Sequence, residues 1–260
     1  MTGKVTSFYL SDASNRVYCH TDYASDNVVL YGECIRGYHD EGKYCLTQDE
    51  TDLAYYKRRV HRLFSKAKPL VKTYRTEDQE SFFSFEESEA LSGGTRCNML
   101  SSLPIYTIPK NVLESMLENN SFGEKDRTAV RNYMSRQRNM TEKILENGTI
   151  CDEIYALSEE EFAKEPVYLS LCGMFSEKGL RYTYSDYLRH LAATYQFAQD
   201  HAGYNLHTNA VHSFRNIHIQ INMGKWVVVS KNNVPSIHFV IKHPKMIRAF
   251  EDFCKPTAEK

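Results

Sequence analysis

Polar and apolar residues alternate in FRNIHIQIN, where Ile217, Ile219 and Ile221 are separated by His218, Gln220 and Asn222. A period of two predicts a strand with one apolar and one polar face. The NMGK that follows predicts a tight turn in which Gly224 is free to take a positive φ. WVVVS is a continuous apolar run, as in a central strand, and IHFVIK alternates more weakly, with Ile237, Phe239 and Ile241 opposite His238 and Lys242. Pro244 suits the first turn of a final helix, where its missing amide costs nothing. The segment predicts an antiparallel three-stranded meander with a helix docked on it.

Helical periods dominate the middle of the chain. TQDE at 47–50 reads as a capping box, and the helix after it places Leu53, Tyr56, Val60, Leu63, Phe64 and Ala67 on one face. It should stop near Lys68, because Pro69 disfavours a helical residue before it. TEDQ at 76–79 opens a second helix with Phe82, Phe83 and Phe85, which stops before SGG at 92–94. LSSLPIYTIP, 100–109, has no helical period and two prolines, and reads as an extended linker into a short helix over 110–119. SFGE at 121–124 is a further capping box before a long helix that ends at Asn147-Gly148. Val130, Met134, Ile144 and Leu145 face inward there, with thinner interior contact at Gln137 and Thr141. Its cations Arg127, Arg131, Arg136, Arg138 and Lys143 read as a solvated face rather than a track for phosphates, since Glu142 and Glu146 dilute them.

Residues 149–157 predict a short strand, SEEE at 158–161 a capped short helix, and 167–175 a largely buried strand. TYSD at 183–186 caps a helix presenting Tyr184, Leu188, Leu191, Tyr195 and Ala198. The first 46 residues are irregular, and only NVVLYGE resembles an element. The fold class is therefore α+β, with an N-terminal helical part and a C-terminal mixed sheet flanked by helices. Three regions follow: an irregular segment over 1–47, a helical subdomain over 48–120 and an α/β, sensor-like domain over 121–260.

Composition narrows the functional classes. With 42% apolar and 25% charged residues, the 260-residue chain matches ordinary globular usage, and a formal charge of −1 gives no overall field toward nucleic acid or anionic membrane. The N-terminal MTGKVTSFYLSD lacks the apolar core of a signal peptide, and no apolar run approaches a bilayer span. A cytoplasmic protein with no membrane partner is expected. The seven cysteines, Cys19, Cys34, Cys45, Cys97, Cys151, Cys172 and Cys254, are scattered, odd in number and lack C-x-x-C. They read as buried reduced thiols rather than a disulfide framework or a zinc site.

No nucleophile elbow, P-loop or H-E-x-x-H is present. His243-Pro244-Lys245 has the H-x-K opening of the phospholipase D signature, but Phe250 stands where an aspartate is required, and no second copy exists. These residues read better as a helix start with Lys245 facing water. No catalytic residue, cofactor or metal is assigned. His218, Gln220, His238 and Lys242 share a polar strand face, which is either solvated or a pocket wall. Trp226 continues the valine run and reads as core before stacking platform, and Arg215 stands where it could hold an anion at the sheet end. Tyr168, Arg181, Arg215, Trp226 and His238 are the ligand-binding candidates.

Four segments together, YYKRRVHRLFSKAKPLVKTYR, LSSLPIYTI, EPVYLSLCGMF and FRNIHIQINMGKWVVVSK with PSIHFVIKHPKMIRAFEDF, resemble the C-terminal effector region of Cro/CI-like (XRE-type) helix-turn-helix regulators of anaerobic Gram-positive bacteria. The resemblance spans roughly residues 48–254 and lies in framework segments, not in a catalytic signature. Residues 1–47 supply no helix-turn-helix. The resemblance implies a non-catalytic sensing domain that binds a small-molecule effector or a partner protein, forms a homodimer, and reaches DNA only through a separate helix-turn-helix. The layout also looks like degenerate phospholipase D-like sensor domains, which would account for the broken H-x-K match. The alternatives are an oligomerisation or protein-interaction module and, behind it, a phosphodiesterase on that scaffold.

Overall fold

The computed structural model describes residues 6–10, 18–169, 179–209, 216–231 and 236–254. The chain divides into two compact units, Met1–Val71 and Lys72–Lys260. This division falls at neither of the boundaries expected near residues 47 and 120.

In the smaller unit, β1 (Phe8–Tyr9) pairs with β5 (Lys68–Pro69). Three further strands, β2 (Tyr18–Ala24), β3 (Val29–Ile35) and β4 (Lys43–Thr47), form an antiparallel sheet where an irregular segment was expected. The strands were hidden because most of their described side chains are polar or exposed, leaving no alternation to read. Helix α1 (Glu50–Lys66) packs on this sheet through the Tyr31–Tyr56 stack and the Arg59–Asp22 ion pair at 3.2 Å. Its cap is Asp49, whose carboxylate accepts from the amides of Thr51 and Asp52. Thr47 instead donates its hydroxyl to Asp52. No residue of α1 is fully buried, and the expected apolar positions Leu63 and Phe64 are exposed.

The larger unit is built on a seven-stranded mixed sheet in the order β6-β12-β11-β10-β7-β8-β9. The strands are β6 (Val71–Arg75), β7 (Gly94–Met99), β8 (Gly148–Ile154), β9 (Tyr204–Thr208), β10 (Ile217–Asn222), β11 (Trp226–Lys231) and β12 (Ile237–Ile241). The meander β10-β11-β12 is as expected, closed at its first turn by Gly224 with φ of 73°. Strands β7, β8 and β9 run parallel to one another, and β10 pairs antiparallel with β7. Parallel neighbours need crossovers: α3 (Lys110–Asn119) and α4 (Glu124–Asn147) join β7 to β8, and α5 (Glu159–Lys164) and α6 (Tyr184–Asp200) join β8 to β9. Helix α2 (Gln79–Ala90) precedes β7, and α7 (Pro244–Phe253) follows β12. The chain passes from α4 straight into β8 at Gly148, where a Cβ would lie 2.1 Å from the Gly94 carbonyl oxygen.

Register assigns the faces. Arg96, Asn98, Asp152, His218, Gln220, Trp226 and His238 share the face covered by α2 and α4, while Ile219, Ile221, Cys97 and Met99 share the other, where α7 lies on β10 and β11. Both faces of the meander are thus covered, and His218 and His238 are buried rather than solvated. The segment expected to be a linker, 100–109, is also interior: it forms a 3-10 turn over Ile105–Thr107, with Leu103, Ile105 and Ile108 buried. Helix α6 buries Asp186, Tyr187, His190 and Thr194; of the residues expected on its inward face, Tyr184, Leu191 and Ala198 pack on the core while Leu188 and Tyr195 are exposed, so that face mixes apolar with polar residues. His190 explains the difference. Its ring bonds the Thr107 hydroxyl, the Pro104 carbonyl and the Tyr182 hydroxyl, tying α6 to the 3-10 turn. Ser158 and Glu161 form the expected capping box, and Thr183 caps α6, but the cap of α4 is Gly123 with no side-chain bond. Most of the strand expected over 167–175 lies outside the described residues.

Candidate functional site: a polar chamber against the sheet

Two helices, four strands and the 3-10 turn converge on a chamber of about 40 Å³, room for about three waters. Helix α2 contributes Phe85 and Glu86, α4 contributes Gln137, Met140, Thr141 and Ile144, β7 contributes Arg96 and Asn98, and Gln220, Trp226 and Val228 come from the meander. Gln137 and Thr141, where interior contact looked thin, are buried and face this space.

Two charges of opposite sign lie here. Burial lifts the Glu86 carboxyl to about 7, against the hydrogen bond from Gln137 (3.4 Å) and the charges of Arg96 and Arg136. Burial also lowers the Arg96 guanidinium to about 10, against the charges of Glu86 and Glu89. Arg96 donates to the Glu89 carbonyl at 2.6 Å and lies over the Trp226 ring at 5.1 Å, while its buried Nε has no hydrogen-bond partner. A buried donor without an acceptor costs on the order of 1–3 kcal/mol, so the chamber holds a directional demand for one.

A second polar layer supports the first. Asp152, fully buried on β8, accepts from Asn98 at 2.7 Å, from the Tyr204 hydroxyl at 2.8 Å and from the Tyr106 hydroxyl. Burial raises its pKa despite those three bonds. Tyr106 is held in turn by Arg138 of α4, which donates to the carbonyls of Tyr106 and Ile108. The long-helix arginines are therefore engaged rather than simply solvated. Arg127 donates to the Phe122 carbonyl, Arg131 to Glu114 and Glu124, and Arg136 to Glu87.

The candidate residues scatter. Trp226 is 4% exposed, belongs to the main core and lines the chamber, with its indole N–H donated to Glu89 at 2.8 Å. His238, 1% exposed, stacks on Phe82 at 3.9 Å and bonds Ser230 at 2.8 Å. His218 shares its row across β11, and burial holds both imidazoles neutral, at about 3 for His218 and about 4 for His238. Both imidazoles are buried, and neither lines the chamber that their face forms further along the sheet. Tyr168 and Arg181 form an isolated backbone bridge, are exposed, and do not line the chamber. Arg215 lies outside the described residues. His243 precedes α7, with Pro244 at its first turn and Lys245 exposed, as expected of a helix start. Among the described residues no cluster of His, Cys, Asp or Glu is arranged to hold a metal, and no helix is long and apolar enough to cross a membrane.

Sequence reading missed Glu86, Arg96, Asn98 and Asp152. Asn98 and Asp152 are in register on adjacent parallel strands 54 positions apart, a relation no local window contains. No protein-family model, curated protein or solved structure matches the chain.

Proposed function

We propose that the larger unit is a non-catalytic sensing domain of a regulatory protein, and that the chamber between α2, α4 and the sheet receives a compact polar molecule. The observation that carries this reading is the pairing of an unsatisfied Arg96 Nε with the Glu86 carboxyl in one small chamber. Arg96 asks for an acceptor, Glu86 for a donor when ionised, and Trp226 and Phe85 supply apolar walls. Small amides and carboxylates have this chemistry and this size. The two strand histidines are neutral and inaccessible, which speaks against the phosphodiesterase alternative. The resemblance to XRE-type regulators gives the sensing reading its context, with DNA reached through a separate helix-turn-helix.

The test is a thermal-shift titration of the full chain with small carboxylates and amides, with Arg96→Gln as control. Saturable stabilisation that follows ligand concentration and is lost in the variant supports the proposal. No stabilisation by any compound, together with a concentration-dependent dimer, favours an interaction module. One observation favours that second reading: the smaller unit exposes Leu46 (68%) and Tyr23 (61%), with Ile35 and Tyr44 also in the open.

A further inference from the structure

The sheet face opposite the chamber carries two thiols side by side. Cys97 of β7 and Cys151 of β8 are register partners in the parallel pair. The neighbouring row of that face is fixed by a hydrogen bond between the Thr149 and Thr95 hydroxyls at 3.2 Å, so the cysteines point the same way. Both are partly exposed. Adjacent strands lie about 4.8 Å apart, within the roughly 4.4–6.8 Å Cα separation a disulfide spans.

We propose that Cys97 and Cys151 are a redox-modification site, a dithiol that a hydroperoxide converts to an intrachain disulfide. This inference is independent of the chamber's ligand. The Cys97 thiolate attacks the peroxide, the O–O bond breaks, and the alcohol leaves with one proton. Cys97 then carries a sulfenic acid. The Cys151 sulfur attacks it, the S–O bond breaks, and hydroxide departs with the Cys151 proton as water. Two thiols and one hydroperoxide thus give one disulfide, one alcohol and one water, a two-electron oxidation.

The surroundings assign the roles. Interaction with the neighbouring Cys151 thiol lowers the Cys97 thiol to about 7, outweighing burial and the charges of Glu153, Asp152 and Glu251. The same interaction raises Cys151, which keeps its proton until the sulfenic acid forms. Cys254 is close by, bonded to Met99 at 3.1 Å, but burial pushes it to about 12 and leaves it protonated.

Peptide mapping of the full chain tests this. The reduced protein is treated with one equivalent of tert-butyl hydroperoxide, alkylated and digested. The expected product is a single Cys97–Cys151 cross-link with a 2 Da mass loss, on the order of tenfold more abundant than any other disulfide. The same treatment in denaturant should abolish that preference. Cys151→Ser should leave a dimedone-reactive sulfenic acid at Cys97, and Cys97→Ser should leave none at Cys151. Recovery of both thiols alkylated, or a dominant link through Cys254 or between the β2–β3 register partners Cys19 and Cys34, would overturn the proposal. The wild-type map decides even if a variant fails to fold.

Discussion

A carboxyl near an arginine ordinarily stays ionised, but at Glu86 loss of solvent outweighs the neighbouring charges. Its folded pKa of about 7 lies above the ordinary 4.5, so the folded chain holds a proton that the unfolded chain releases between those values. The stability this group contributes is complete below about pH 4.5. It declines as pH rises to about 7, by up to roughly 3 kcal/mol. Glu86→Gln should therefore stabilise the larger unit at pH 8 relative to wild type and remove that part of the slope, as urea unfolding at pH 5 and pH 8 would measure. Equal slopes in the two proteins would show that Glu86 does not titrate there. His238 is the opposite case. It was readable as a ligand residue from its place on a polar face, yet it stacks on Phe82 and bonds Ser230. His238→Ala should cost roughly 2–4 kcal/mol of stability and leave small-ligand affinity within about twofold, read by unfolding and by titration of the surviving folded protein. Trp226 was legible as core, because it continues an apolar run. Its second role beside Arg96 was not, because that depends on a strand pair more than a hundred residues apart in sequence.

Between elements, legibility followed periodicity. The meander, α3, α4 and the cap of α5 lie where their patterns place them, because each turns one apolar stripe to the core or carries its own stop signal. Strand β7 did not announce itself. Its chamber-facing residues are Arg96 and Asn98, so the positions that should read apolar are the polar ones that build the chamber. Gln137 and Thr141 interrupt α4 for the same reason. Breaks in hydrophobic pattern thus marked the chamber, although they first looked like weak packing. The 3-10 turn over 105–107 failed differently: two prolines suggested an open linker, but Arg138 accepts no such freedom and clamps its carbonyls. Arg138→Met should cost on the order of 1–3 kcal/mol by leaving those carbonyls unpaired. It should also speed amide exchange selectively over residues 105–108. Uniform acceleration across α4 and β8 would instead mean that Arg138 supports the whole unit rather than the turn.

Across the whole molecule the balance of buried ionisable groups sets the response to acid. His190, His218 and His238 are all buried in the larger unit with pKa values depressed by burial, to about 3, 3 and 4. Each folded pKa lies below the ordinary 6.5, so the unfolded chain takes up a proton that the folded chain refuses. Stability from these groups is full above pH 6.5 and is lost as pH falls toward 4. Glu86 works against them, since its folded form already holds a proton between 4.5 and 7. Three protons gained by histidines, less the one Glu86 already holds, leave a net uptake of about two on unfolding. Stability should then fall by up to about 3 kcal/mol per pH unit between 6.5 and 4.5. A unit whose stability is ordinary at neutral pH, roughly 5–15 kcal/mol, would be weakened enough to populate locally opened states near pH 4.5. Denaturant unfolding from pH 4.5 to 7, paired with a His218→Gln, His238→Gln double variant, separates the contributions. The variant should lose the acid slope from two histidines and become nearly flat, because proton uptake by the remaining His190 offsets the proton Glu86 already holds. An unchanged acid slope would place the proton uptake outside the sheet, in the carboxylates of surface ion pairs such as Glu114–Arg131.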